Sequence, residues 1–308
     1  MTEDQRVDLR GRFFGTGTPR PGGPPVANPR LSGAPEFVLL FPEPPDLDAD
    51  ALTLALRDYH ADLAAATAEL LPASAESPAV LGLVGWGRHV VKLVGHASPA
   101  DESLLERCVR PARYDRVLKE DAYRHAAHVR LYYAGYETDP HERFVALAAA
   151  AGAVARFGAV VVLNEAAHTS APAMILLPHV EDAGDMLGAL RRFPLLWLFA
   201  GFLTIEAEDE PGVWMRTRGA DAFGLPDLAF RAEGHHQTEA VFHLFANLLA
   251  HQRETGQAFI PGDELNVGGA GLLRLRERTA DDWFLQGESP LLVAEPVAPG
   301  DATTPSAG

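Results

Sequence analysis

"HVRLYYAGYETDPHERFVALAAAAGAVARFGAVVVL", residues 128–163, decides how the rest of the chain is read. Its opening alternates, with Val129, Leu131 and Tyr133 on one side and His128, Arg130 and Tyr132 on the other, which is the period of a strand. After a polar loop, Asp139 as cap and Pro140 at the first helical position open a helix that Gly158 stops. "AVVVLN" (159–164) is an unbroken apolar run and reads as a buried strand. Strand, long helix and strand in succession predict a sheet covered by helices.

The same order recurs in "DLAFRAEGHHQTEAVFHLFANLLAHQRETGQAFI" (227–260), with Gly256 in the place of Gly158. The expectation is an α+β protein of two related sheet-plus-helix halves, 36–180 and 181–296, each with helices on one face of its sheet. Right-handed βαβ crossovers of a ferredoxin-like kind would suit each half. "FVLLF" (37–41) reads as a strand, and "AVLGLVG" with "HVVKLVGH" as a hairpin turning at Trp86-Gly87-Arg88. "DLDADALTLALRDYHADLAAATAELL" (46–71) reads as one helix whose buried stripe is Leu52, Leu56, Tyr59, Leu63 and Leu70. "PLLWLFAGFLTIEAEDEPGVWMRTRG" (194–219) resembles a long hairpin. Residues 1–35 are dense in Pro and Gly and are expected to be a disordered leader, and 297–308 a disordered tail. Within the leader, Arg10, Arg12, Phe13 and Phe14 of "RGRFFG" form the alternative, a short docking peptide.

The totals narrow the function classes. The chain has 308 residues, 47% of them apolar, and a formal charge of −16. That charge repels a polyanion, so no nucleic-acid partner is expected; it favours basic partners. One cysteine, Cys108, excludes an internal disulfide and suits a reducing compartment. The start "MTEDQRVDLRGR" has no apolar core of a secretory signal. The longest apolar runs, "FVALAAAAGAVA" and "PLLWLFAGFLTI", fall short of the roughly 20 residues of a membrane helix, so no membrane partner is expected. A cytoplasmic protein follows.

Residues that could do chemistry are few. On a strand, His125 and His128 lie an odd number apart and point to opposite faces, so they are not expected to share a metal ion. His235, His236, His243 and His251 flank or occupy one helix, opposite Val241, Phe242, Phe245, Leu248 and Leu249, and are placed on its solvent side. "PHERF" (140–144) begins like H-E-x-x-H, but Val145 stands where the second histidine is needed. "NVGGAGLL" (266–273) has neither dinucleotide-loop nor phosphate-loop spacing. No cofactor is therefore expected. Cys108 reads as a packed thiol beside Leu104 and Leu105. Arg216 and Arg218 share a strand face before a glycine-bounded loop that could present donors to an anion; the favoured reading is a rigid turn with Phe223 plugged into the core and the arginines solvated. His128, Arg130, Arg216 and Asp227 are the low-ranking binding candidates, should the two sheets face a common cleft.

Thr217, Gly219, Phe223, Gly224, Pro226 and Asp227 in "TRGADAFGLPDL", with "YRHAAHVRL" and "GQAFIPGDEL", resemble a bacterial family known as domain of unknown function 4261. The likeness spans roughly residues 36–296. Its motifs are turns, a strand and a helix stop, and a Glu often stands in that family where this chain has Asp227. The resemblance implies a fold and a bacterial origin and brings no catalytic residues. The leading expectation is a non-catalytic protein that binds another protein, in the manner of an adaptor or immunity protein. The alternatives are an enzyme or small-ligand protein with a site assembled between the halves, and a structural component of a larger assembly.

Overall fold

The computed structural model describes residues 2–19, 23–73, 79–178, 185–207, 211–268, 271–285, 287 and 289–297. The chain is α+β and divides into two compact units, Met1–Phe193 and Pro194–Gly308. The break thus falls later than the 180/181 boundary read from the sequence.

The first unit is built on a seven-stranded sheet, β2(Thr67–Leu71)-β3(Val80–Trp86)-β4(His89–His96)-β5(Ala127–Tyr133)-β1(Glu36–Phe41)-β6(Val161–Asn164)-β7(Thr169–Pro172), antiparallel throughout. Two crossovers interleave in its middle. Helix α5 (Pro140–Ala155) joins β5 to β6, which flank β1; helix α2 (Ala49–Arg57), with the β2–β3 hairpin after it, joins β1 to β4, which flank β5. Asp139 caps α5 by accepting from the His141 amide, and Pro140 opens it, as the sequence dictates.

Helices cover both faces of this sheet, not one. Phe37 meets Phe144 of α5 with ring centroids 6.1 Å apart. Its neighbour Val38, pointing the other way, packs with Leu40, Val161 and Leu163 against α3 (Glu102–Cys108) and the turn and helix that follow it. That second helix, α4 (Arg116–Tyr123), is capped by Asp115 and was not expected. Cys108 is buried in this cluster, 3.8 Å from the Asn164 carbonyl.

The single helix expected over 46–71 is broken. After α2 the chain turns, makes one 3-10 turn at Ala61–Leu63 and returns as β2. Thr53 Oγ accepts from the Ala68 amide at 2.9 Å and Arg57 Nε donates to the Ala66 carbonyl at 3.0 Å, tying the returning strand to the helix it leaves. Leu52, Leu56, Tyr59 and Leu63 are buried as expected, whereas Leu70 lies on β2 opposite Gly82. Pairing with β3 outweighs the helix propensity of "LAAATAELL".

The second unit carries a six-stranded mixed sheet, β11(Glu264–Asn266)-β12(Leu272–Glu277)-β13(Leu291–Pro296)-β10(Asp227–Ala232)-β9(Val213–Arg218)-β8(Gly201–Ile205). β10 and β13 are parallel neighbours. Helix α8 (Thr238–Thr255) buries Val241, Phe245, Leu248 and Leu249 and leaves its histidines outward. The long hairpin expected at 194–219 begins instead with a short helix, α7 (Leu195–Leu198), before β8 and β9. "GQAFI" is not the strand that the internal rhyme requires: Gln252 Oε1 takes the Phe259 amide and the Asp263 carboxylate takes the Ile260 amide, so these amides bond locally.

The tightest approach in the first unit is at Gly152. The Tyr59 hydroxyl, fully buried, donates to the Leu176 carbonyl at 2.5 Å and lies directly over Gly152. A Cβ at 152 would overlap both the Tyr59 hydroxyl and the Leu176 oxygen. Gly152→Ala is therefore expected to lower the unfolding free energy by ~1–3 kcal/mol or more, read as a fall in the urea midpoint; an unchanged midpoint would contradict this packing.

Candidate functional site

The loaded stretch of β5 behaves as its alternation requires. Val129, Leu131 and Tyr133 are buried on the α5 side. His128, Arg130 and Tyr132 share the other face with the residues registered beside them: His96 and Leu40 next to His128, Val94 and Val38 next to Arg130, Lys92 and Glu36 next to Tyr132.

On that face a chain of charges forms. Arg130 Nη1 bonds Glu36 and stands 3.8 Å from Glu165, whose other oxygen receives Arg107 Nη2 at 2.6 Å. Burial pushes the Glu36 carboxyl above its usual range in spite of the guanidinium beside it. Desolvation works against the charge on Arg130, but Glu36 outweighs it and holds the guanidinium above its ordinary value. Arg130 Nη1 thus stands between two carboxylates, from β1 and the loop after β6, and fastens them.

The two histidines do not behave as the sequence argument assumed. His125 precedes β5, so strand parity does not govern it. Its Nδ1 bonds the Ala122 carbonyl at 2.7 Å and its Nε2 accepts the Ala100 amide at 2.7 Å. His128 Nδ1 bonds the Ser98 carbonyl at 2.8 Å, and its ring stacks on His96 with centroids 4.7 Å apart. Both rings therefore reach the same loop, Ser98–Ala100, and pin it between β4 and α3. The amide donor fixes His125 as the neutral Nδ1–H tautomer. Among the described residues no group of three or more His, Cys, Asp or Glu is placed to hold a metal ion.

Arg216 and Asp227 belong to the second unit and meet each other. Arg216 Nη1 donates to the Leu285 carbonyl at 2.8 Å, Nε to the Thr217 carbonyl at 3.0 Å, and Nη2 lies 3.5 Å from Asp227. Asp227 also accepts from Thr217 Oγ1 at 2.9 Å and the Ala220 amide at 3.2 Å. All three side chains are buried. Burial lowers the Arg216 value and raises that of Asp227, each against the pull of its partner. The glycine-bounded loop between them turns on Gly219 and Gly224, both in the left-handed region. Arg216 and Asp227 thus brace loops from within. The four candidates form two separate sets, His128 with Arg130 and Arg216 with Asp227, one in each unit.

The leader was expected to lack structure, yet residues Glu3–Phe13 form a helix, α1. Thr2 and Gln5 make a capping box at its start. Leu9 and Phe13 pack on Leu71, Leu83 and Val90, and Lys92 lies over the Phe13 ring at 5.1 Å. Arg12 is buried and grips Glu69 with two bonds of 3.0 and 2.5 Å, while also donating to Asp8 and the Pro25 carbonyl. Desolvation opposes this charge, but Glu69 and Asp8 together raise the guanidinium above its usual value. Past α1, the Ala27 amide bonds Arg12 and the Asn28 amide bonds Ala134. Arg12 and Phe13 therefore dock the leader on its own sheet. Arg10 and Phe14 point outward. Met1 and residues 20–22 of the leader, and all but Val297 of the 297–308 tail, lie outside the described residues.

Sequence reasoning passed over Glu36, Glu165 and Arg107, whose meeting with Arg130 depends on strand order. It also passed over Trp283, which is 65% exposed on the 3-10 segment Ala280–Leu285. The one available signal was its setting, a tryptophan directly after Asp281 and Asp282. Among the described residues no helix is long and apolar enough to cross a membrane. No protein-family model, curated protein or solved structure matches the chain.

Two tests follow from these contacts. Burial holds the imidazoles of His125 and His128 below their ordinary value of 6.5. Each is neutral in the folded chain and gains its proton more readily when unfolded. Their contribution is present above 6.5 and is lost as pH falls through that value toward the lower folded one. The urea midpoint is expected to fall between about pH 7.5 and about pH 5.5, and to fall less in His125→Gln, which keeps a donor and an acceptor without titrating. An equal fall in both proteins would contradict this. For the leader, Arg12→Ala is expected to release α1, so that its amides lose hydrogen-exchange protection while those of β5 keep theirs; retained protection in α1 would show that Arg12 does not hold it.

Proposed function

We propose that the protein is a non-catalytic binding protein whose partner is another protein with a basic surface. The observation that carries this reading is Trp283. An indole left 65% exposed forgoes burial that tryptophan ordinarily finds, and tryptophan is the side chain most enriched among residues that dominate protein interfaces. It stands beside the exposed Asp281 and 5.7 Å from the Phe284 ring. Residues 194–308 hold 17 Asp and Glu against 7 Arg and no Lys. Three of those arginines, Arg216, Arg274 and Arg276, are engaged by Asp227, by Glu264, and by Asp282 with Glu295. Such a charge balance favours encounter with a cationic surface.

The placement of the polar candidates supports the non-catalytic part of the reading. His125, His128, Arg130, Arg216 and Asp227 each bond a neighbouring element of the fold. The resemblance to domain of unknown function 4261 stands beside this as a proposed kinship.

The full chain immobilised as bait, with Trp283→Asp as its control, tests the reading. Wild type is expected to retain a specific protein from cells of the source at low salt and release it near about 0.5 M salt, and the variant to retain far less. Equal retention by both baits, or none by wild type, would contradict it.

A further inference from the structure

We infer that an extended segment of the partner, carrying alternating apolar and basic side chains, docks in a cleft of the second unit. This rests on the binding reading above and gives it a location. The cleft has a volume of about 740 Å³ and gathers residues from distant parts of the sequence: Asp221, Gly224, Leu225 and Pro226 from the loop before β10, Phe259 and Pro261 from the segment after α8, and Glu277 and Arg278 from the end of β12.

The walls are held rigid from behind. Asp227 Oδ1 takes the Ala220 amide, the Leu225 amide bonds the Ala220 carbonyl, and Gly219 and Gly224 turn in conformations open to glycine. The same aspartate's amide bonds the Pro290 carbonyl, and Arg216 and Arg278 both donate to the Leu285 carbonyl. On the other side, Gln252 holds the Phe259 amide. A buried ion pair that orders two loops facing one cleft is an arrangement that lowers the cost of ordering a binding surface. Here it gives the buried Arg216–Asp227 pair a reason to be where it is.

The chemistry of the lining chooses the occupant. Pro226, Pro261 and the half-buried Phe259 ring offer apolar surface, with the buried Leu225 behind them. Asp221 and Glu277 are exposed at the cleft beside one cation, Arg278, so that its described charged lining is two carboxylates against one guanidinium. Two carboxylates on an acidic unit complement basic side chains, and the apolar residues lining the same cleft complement apolar ones. An acidic or phosphorylated segment would meet repulsion.

The test titrates the isotope-labelled full chain with a blocked hexapeptide alternating arginine and leucine, and with its counterpart carrying glutamate for arginine. With the arginine peptide, the backbone resonances of Gly224, Leu225, Phe259 and Glu277 are expected to shift together and saturate. The glutamate peptide is expected to move none of them. In the double variant Asp221→Lys with Glu277→Lys, both exposed positions, affinity for the arginine peptide is expected to fall at least about tenfold, with resonances of α8 unmoved to show that the fold persists. Equal response to the two peptides, shifts confined to other regions, no shift at millimolar peptide, or full affinity in the double variant would each overturn the cleft assignment. Trp283 does not line the cleft, so the outcomes separate. Loss of peptide binding with Trp283-dependent capture intact removes the cleft alone, whereas peptide binding without any captured protein removes the broader reading.

Discussion

Twelve consecutive residues of α5, Phe144 to Ala155, are buried, and a helix without a solvent face exists only where other elements enclose it. That constraint organises the first unit. The sheet closes one side of the helix through β1, β4 and β5, and α2, α6 (Met186–Arg192) and the 3-10 turn Ala173–Leu176 close the others. The run of alanines lets these elements approach closely, and Gly152 admits the Tyr59 hydroxyl to the helix surface. Tyr59 in turn satisfies the Leu176 carbonyl, which would otherwise be a buried acceptor left without its bond. The covering of the helix surface and the satisfaction of one polar atom are thus met by a single side chain.

Around this frame, the charged and imidazole side chains act mainly as fasteners. His125 and His128 hold the Ser98–Ala100 loop, Arg130 ties β5 to Glu36 on β1, and Arg12 ties α1 to Glu69 on β2. In the second unit Arg216 and Asp227 do the same for two loops. Each is partly or wholly desolvated and each is matched by carbonyls, amides or an opposite charge, which is the condition under which buried polar groups are tolerated. The surface proposed above for a partner is of another kind: Trp283, the cleft lining and exposed carboxylates of the second unit.

The features legible in the sequence were those that local chemistry specifies. The alternation of residues 128–133, the Asp139-Pro140 start and the Trp86-Gly87-Arg88 turn lie where they were read, and the strand read over 159–164 is found over Val161–Asn164. The outward histidines of α8 were legible because Val241, Phe245, Leu248 and Leu249 mark its inner face. What failed depended on partners distant in sequence. Nothing local says that "TAELL" pairs with β3, that Phe13 finds Leu83, or that His125 lies outside the strand and turns toward Ala100. Of the candidate residues, Arg216 and Asp227 were read only as members of a cleft shared by the two sheets, and their burial was not legible. Their role as a brace became visible only with Leu285 and Ala220 in place.

The central claim is that the histidines and arginines singled out by the sequence serve the fold, with His125 the clearest case. Direct observation of the His125 and His128 ring nitrogens by NMR across a pH titration tests it most directly. The account predicts that at and above pH 6.5 His125 is a neutral Nδ1–H imidazole and that both rings take up their protons only below that ordinary histidine value. An Nε2–H tautomer for His125, or protonation of either ring at or above that value, would contradict it.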